Sequence, residues 1–73
     1  MADWPSTKAK KVYHALLRIG WTPKPGRRKG SSHIQLVHPS RPEFTWAFHD
    51  SDEIGPRMLA RIAKHTGLER ADL

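Results

Sequence analysis

Apolar residues recur through the first twenty positions at the spacing of a helix. Ala9, Val12, Tyr13, Leu16 and Leu17 follow i, i+3, i+4, i+7, i+8, which gathers them into one buried stripe. Ser6 or Thr7, following Pro5, offers an N-cap, and Gly20 stands where a left-handed residue closes a helix. From Trp21 to Lys29 the periodicity lapses. Pro23 and Pro25 remove ladder donors, so this stretch is predicted as an edge strand or an irregular approach to one. After a Gly30-Ser31 turn, Ser32 to His38 alternates, with Ile34 and Leu36 on one face and His33, Gln35 and Val37 on the other. Pro39-Ser40-Arg41-Pro42 reads as a turn. Phe44, Trp46 and Phe48 then alternate with Thr45, Ala47 and His49, which predicts a second strand with an aromatic face. Gly55-Pro56 opens a last helix whose stripe is Met58, Leu59, Ile62 and Ala63, and Gly67 ends it with Leu68 folding back.

The predicted order is α-β-β-β-α, with the first strand the least regular. Each helix has one apolar stripe and each clear strand one apolar face. The economical arrangement is an α+β fold, two helices packed on one face of a three-stranded antiparallel sheet. With Ile34, Leu36, Phe44, Trp46 and Phe48 turned to the helices, His33, Gln35, Thr45 and His49 share the open face. A length of 73 residues predicts a single domain spanning 1–73, its core at about 6–68.

Charge adds direction to this picture. The formal net charge is +6, and its distribution is lopsided. Between Trp4 and Pro42 lie Lys8, Lys10, Lys11, Arg18, Lys24, Arg27, Arg28, Lys29 and Arg41, with no Asp or Glu. Such a one-signed block attracts polyanions, and an acidic protein surface would suit the same field as a nucleic acid. Lys8, Lys10 and Lys11 crowd the first helical turn, where the helix dipole favours carboxylates by roughly 0.3–1 kcal/mol each. That cost suggests that the cations meet something, and a tolerated local defect is the competing reading. The absence of cysteine excludes disulfides and thiolate metal sites. No apolar run suggests a membrane span, and Met1-Ala2-Asp3-Trp4 lacks the regions of a signal peptide, so a cytoplasmic location is the expectation.

Candidate chemistry centres on the five histidines. His14 and His65 fall off the helix stripes and read as surface residues. His38 closes a strand and reads as structural. No His-x-His or His-x-x-x-His spacing occurs, so neither a metal site nor a cofactor is expected. His33 has different surroundings: it follows Gly30-Ser31-Ser32, lies close to Arg27, Arg28 and Lys29, and points away from the core. An imidazole can give or take a proton at neutral pH. In RNA, a base that removes the 2′-hydroxyl proton lets that oxygen attack its own phosphorus, while cations stabilise charge on the phosphate. The turn can offer the Ser31 and Ser32 hydroxyls and backbone N–H groups to phosphate oxygens. By spacing alone, however, a histidine after a Gly-Ser turn is a weak signal, and a surface strand residue is the better reading. His49, placed on the same face by strand parity, is the nominee for a second proton-transfer group. Lys10, Lys11, Arg27, Arg28 and Lys29 are the phosphate-binding candidates.

The chain from about Lys8 to Leu68 resembles the HicA (YcfA-like) toxins of type II toxin–antitoxin systems. The matching residues are Leu16-Leu17-Arg18-Ile19-Gly20-Trp21, Lys29-Gly30-Ser31-Ser32-His33, Phe48-His49 followed by Asp52-Glu53-Ile54, and the closing helix from Pro56 to Thr66-Gly67-Leu68. The resemblance implies a double-stranded-RNA-binding-domain-like α-β-β-β-α fold. It implies metal-independent mRNA cleavage with the histidine of the Gly-Ser-x-His turn, His33, as catalyst, and neutralisation by a cognate HicB antitoxin. Two features depart from the family pattern. Pro23-Lys24-Pro25-Gly26 replaces a cleaner strand, and Ala47 stands where proline often precedes Phe-His. A non-catalytic RNA-binding module of the same fold, and a module for an acidic protein partner, are the competing functions.

Overall fold

The computed structural model describes residues 4–24 and 33–73. Its main elements follow the predicted order. Helix α1 (Ala9–Arg18) precedes three antiparallel strands, β2 (Thr22–Pro23), β3 (Ile34–His38) and β4 (Arg41–Trp46), adjacent in that order, and helix α2 (Pro56–Thr66) closes the fold. Three short elements are additional among the described residues. Thr7–Lys8 form a strand, β1, that pairs antiparallel with β5 (Glu53–Ile54), and Arg70–Asp72 form a 3-10 turn after α2.

Strand β1 displaces the expected cap of α1. The chain stays extended through Lys8, the N-cap residue, and no side chain caps the helix. Instead, the Ala9 N–H donates to the Asp52 carbonyl at 2.8 Å and the Lys10 N–H to the Asp50 carbonyl at 3.3 Å. The Thr7 hydroxyl donates to the Pro5 carbonyl. A distant loop thus satisfies donors that every helix start leaves open. At the other end Gly20 adopts a positive φ of 111°, and the Trp21 N–H returns to the Leu16 carbonyl at 3.1 Å.

The buried stripe of α1 is Ala9, Val12, Ala15 and Leu16. It lies slightly rotated from the predicted one. Tyr13 is half-buried, with its ring 5.8 Å from Trp46, and Leu17 is 36% exposed. In α2, Leu59, Ile62 and Thr66 are buried, whereas Met58, expected in the core, is 40% exposed. Hydrophobic spacing identifies a stripe, but neighbouring elements set the rotation of the helix beneath it. Gly55 and Pro56 start α2 as predicted, and Gly67, at φ 79°, ends it with Leu68 buried behind.

Strand pairing bears out the predicted parity. Ile34 faces Trp46 and Leu36 faces Phe44, while Gln35 faces Thr45 on the opposite side of the hairpin. Leu36 and Trp46 are fully buried and meet Val12, Leu16, Leu59 and Ile62 of the helices. Trp4, Trp21, Ile54 and Leu68 complete this core. Strand β2 is the short edge strand its prolines predicted, with Pro23 opposite Leu36.

The bounds of β4 differ from expectation at both ends. The connecting turn is only Pro39-Ser40, and Arg41 and Pro42 already belong to the strand. An edge position tolerates Pro42, whose missing donor need not face a neighbour. The strand then stops at Trp46, leaving Ala47, Phe48 and His49 outside it.

Candidate functional site

His33 is exposed and immediately precedes β3. The β3–β4 pairing ends at Ile34 and Trp46, so His33 and Ala47 lie at the same end of the hairpin. The face of β3 opposite the buried Leu36 carries Gln35. That open face carries a connected polar row. The Lys24 ammonium pairs with Glu43 at 3.2 Å, the Gln35 amide donates to Glu43 at 3.0 Å, and the Thr45 hydroxyl donates to the Gln35 amide oxygen. Lys24 lies in the carboxylate-free part of the sequence, yet the hairpin delivers Glu43 to it. As an exposed pair it adds little stability, but the row holds Gln35 in one orientation beside the start of β3.

His49 does not join this face through the strand. Because β4 ends three residues earlier, parity no longer carries to it. The Asp52 carboxylate accepts from the His49 N–H at 2.8 Å, and the Asp52 N–H donates to the His49 carbonyl at 2.9 Å. This reciprocal turn makes His49 the first residue of the loop that caps α1. The loop also answers the lysine cluster. The Lys8 ammonium reaches the Ser51 carbonyl at 3.5 Å, and the carbonyls of Asp50 and Asp52 receive the helix N–H groups. Lys10 and Lys11 are exposed on the first turn of α1 beside that loop. The proposed phosphate-binding residues Arg27, Arg28, Lys29, Ser31 and Ser32 lie outside the described residues.

The remaining histidines have structural or surface settings. His38 is half-buried, with its ring 5.1 Å from that of Trp21. Its Nδ1 accepts from the Ser40 N–H at 3.0 Å, which leaves Nε2 to donate to the Ile19 carbonyl at 3.2 Å. His14 is exposed, and so is His65, which stacks on Phe44. Among the described residues no group of three His, Asp or Glu gathers in the manner of a metal site, and no helix is long and apolar enough to cross a membrane.

One feature escaped the hydropathy pattern. Between the outer edge of β4 and α2 lies a groove of about 570 Å³, formed by Phe44, Ala47, Phe48, Met58, Arg61 and Lys64 among others. The signal that could have found it is the i, i+4, i+7 spacing of Arg57, Arg61 and Lys64, one basic face of α2.

The family described as HicA toxin of bacterial toxin–antitoxin matches residues 9–68. No curated protein and no solved structure gives a significant match. The match spans α1, the three-stranded sheet, the capping loop and α2, which are the elements that position His33, and so the chain belongs to the HicA toxin family of bacterial toxin–antitoxin systems.

Proposed function

We propose that this toxin is an endoribonuclease that cuts mRNA without a metal ion, using His33 as its acid–base group. The observation that carries the proposal is His33, exposed immediately before β3 in a HicA-family sheet.

The chemistry follows from RNA itself. The His33 imidazole takes the proton of a ribose 2′-hydroxyl, the 2′-oxygen forms a bond to the adjacent phosphorus, and the bond to the 5′-oxygen breaks. The protonated imidazole returns its proton to the departing oxygen, which leaves a 2′,3′-cyclic phosphate on one fragment and a free 5′-hydroxyl on the other. Lys10, Lys11, Arg27, Arg28 and Lys29, with the Ser31 and Ser32 hydroxyls, are the proposed phosphate contacts. They hold the strand and offset the charge that builds on the phosphate. The antitoxin partner that the family implies is proposed to be a HicB-type protein covering the same face. With mRNA as substrate, the cytoplasm is the proposed place of action.

The test is cleavage of single-stranded RNA by the purified protein in EDTA. Fragments ending in 2′,3′-cyclic phosphate are expected. His33→Ala should slow their formation by about 100- to 10,000-fold, the span of general acid–base catalysis. No cleavage by the wild type, or equal cleavage by His33→Ala, would reduce the protein to an RNA-binding module. His49 remains the proposed second proton-transfer group only if His49→Ala loses at least tenfold while staying folded. A wild-type rate removes it.

A further inference from the structure

The groove between β4 and α2 has three properties that belong together. Its floor is aromatic. Phe48 is half-buried with its ring edge-on to Trp46 at 5.0 Å, and Phe44 is half-buried and stacked on His65. Its rim is cationic, from Arg61 and Lys64, and no carboxylate is among its lining residues. Arg57 extends that rim along the same face of α2, where a second hollow shares Met58 and Arg61. Finally, the groove reaches Ala47, which follows the last residue of β4, and Trp46 pairs with Ile34, the residue after His33. The groove and the histidine therefore lie at the same end of the β3–β4 hairpin.

Packing against the core accounts for the inner sides of Phe44 and Phe48, but not for the rest of the groove. Met58 sits on the apolar side of α2 by sequence yet is 40% exposed. Arg61 and Lys64 are also exposed, and no carboxylate pairs with either among the described residues. Planar apolar surface bordered by unneutralised cations is the arrangement that takes single-stranded nucleic acid, with bases on the rings and phosphates on the cations. The volume suits a group of nucleotide size, within the range of about 300–1,000 Å³ typical of small-molecule pockets. A peptide strand added to the outer edge of β4 is the competing occupant, but Pro42 removes a main-chain donor along that edge.

We infer that the β4–α2 groove is an RNA subsite, which seats an unpaired base against Phe48 and Met58 and the adjoining phosphates on Arg61 and Lys64, at the same end of the hairpin as His33. The inference deepens the ribonuclease reading and rests on it for the position of the cut. A subsite of this kind selects for single-stranded RNA, because a base held in a duplex has no free face to offer the ring.

The test separates binding from cleavage. The probe is a fluorescent single-stranded RNA oligonucleotide methylated at every 2′-oxygen, which binds but is not cut, titrated by anisotropy with the free full-length protein. Phe48→Leu keeps an apolar side chain and removes the ring; it should weaken binding by about 5- to 150-fold, the span of one base–aromatic stack. Arg61→Gln combined with Lys64→Gln should lower the slope of log affinity against log salt by about 1.4, at about 0.7 for each phosphate contact on a single strand. Arg18→Gln, a cation lost from the last turn of α1 and from none of the proposed RNA contacts, should leave affinity within about twofold. Circular dichroism establishes that each variant is folded. Unchanged affinity and salt slope in both groove variants would overturn the subsite. Loss of a partner antitoxin by these variants, with RNA binding intact, would also overturn it and give the groove to protein docking. Failure of the nuclease reading looks different: wild type and His33→Ala would bind the methylated RNA through the groove while neither cuts unmodified RNA.

Discussion

At the residue scale, two glycines are fixed by backbone geometry and a third is not. Gly67 holds φ at 79°, and a Cβ there would come within 2.7 Å of the Arg41 guanidinium, which lies against the C-terminal end of α2. The guanidinium can shift, so the backbone supplies most of the penalty. Gly67→Ala should cost about 1–2 kcal/mol, which lowers the thermal midpoint by about 4–8 °C for each kcal/mol in a domain of this size. Gly55, at an ordinary φ of −77° with open space around it, should accept alanine within about 0.5 kcal/mol. Calorimetry of the two variants side by side checks the contrast. Gly20 was legible as a helix stop. Its second constraint was not, since a Cβ there would lie 2.9 Å from the His38 ring, and that approach depends on a hairpin eighteen residues downstream.

At the element scale, the helices and the hairpin were readable because their signals are local. Ile34 and Leu36 alternate with polar residues, and their partners Phe44 and Trp46 do the same, so the inward face follows from a period of two. The start of α1 was not readable. Ser6 and Thr7 are good caps by type, but pairing of Thr7 with Ile54 keeps the chain extended there, and Asp50 and Asp52 supply the cap from a distance. The acidic loop and the lysine-rich turn are neighbours only in three dimensions. Asp52→Ala removes the acceptor that holds the His49 N–H and loosens the carbonyls that cap α1. It should cost about 1 kcal/mol and speed hydrogen exchange at the Ala9 and Lys10 amides more than at the Leu16 amide. Equal acceleration along the helix would mean that the loop does not act as the cap. The same turn explains why His49 was misplaced: alternation continues through Phe48 in the sequence, but the carboxylate of Asp52 takes the His49 amide out of extended pairing.

At the scale of the whole molecule, Trp21 ties the two helices together. Its indole N–H donates to the Thr66 carbonyl at 3.1 Å in the last turn of α2, while its ring packs on His38 and Phe44. Trp21→Phe leaves that buried carbonyl unpaired and opens a gap, for a cost of about 2–4 kcal/mol. Against a total of roughly 5–10 kcal/mol for a small domain, the urea midpoint should fall by about a fifth or more with an unchanged slope. A loss under 0.5 kcal/mol would show the tie to be dispensable.

The sequence by itself determined the two helices, the edge character of β2, the alternating faces of the β3–β4 hairpin and the one-signed charge, because each rests on periodicity, proline chemistry or composition within a short window. Only the tertiary structure decided the rest. It brought Asp50 and Asp52 to the start of α1, Glu43 to Lys24, and the basic face of α2 to the aromatic edge of β4. Each of these pairs residues far apart in the chain, and their meeting depends on where the core lets the elements pack.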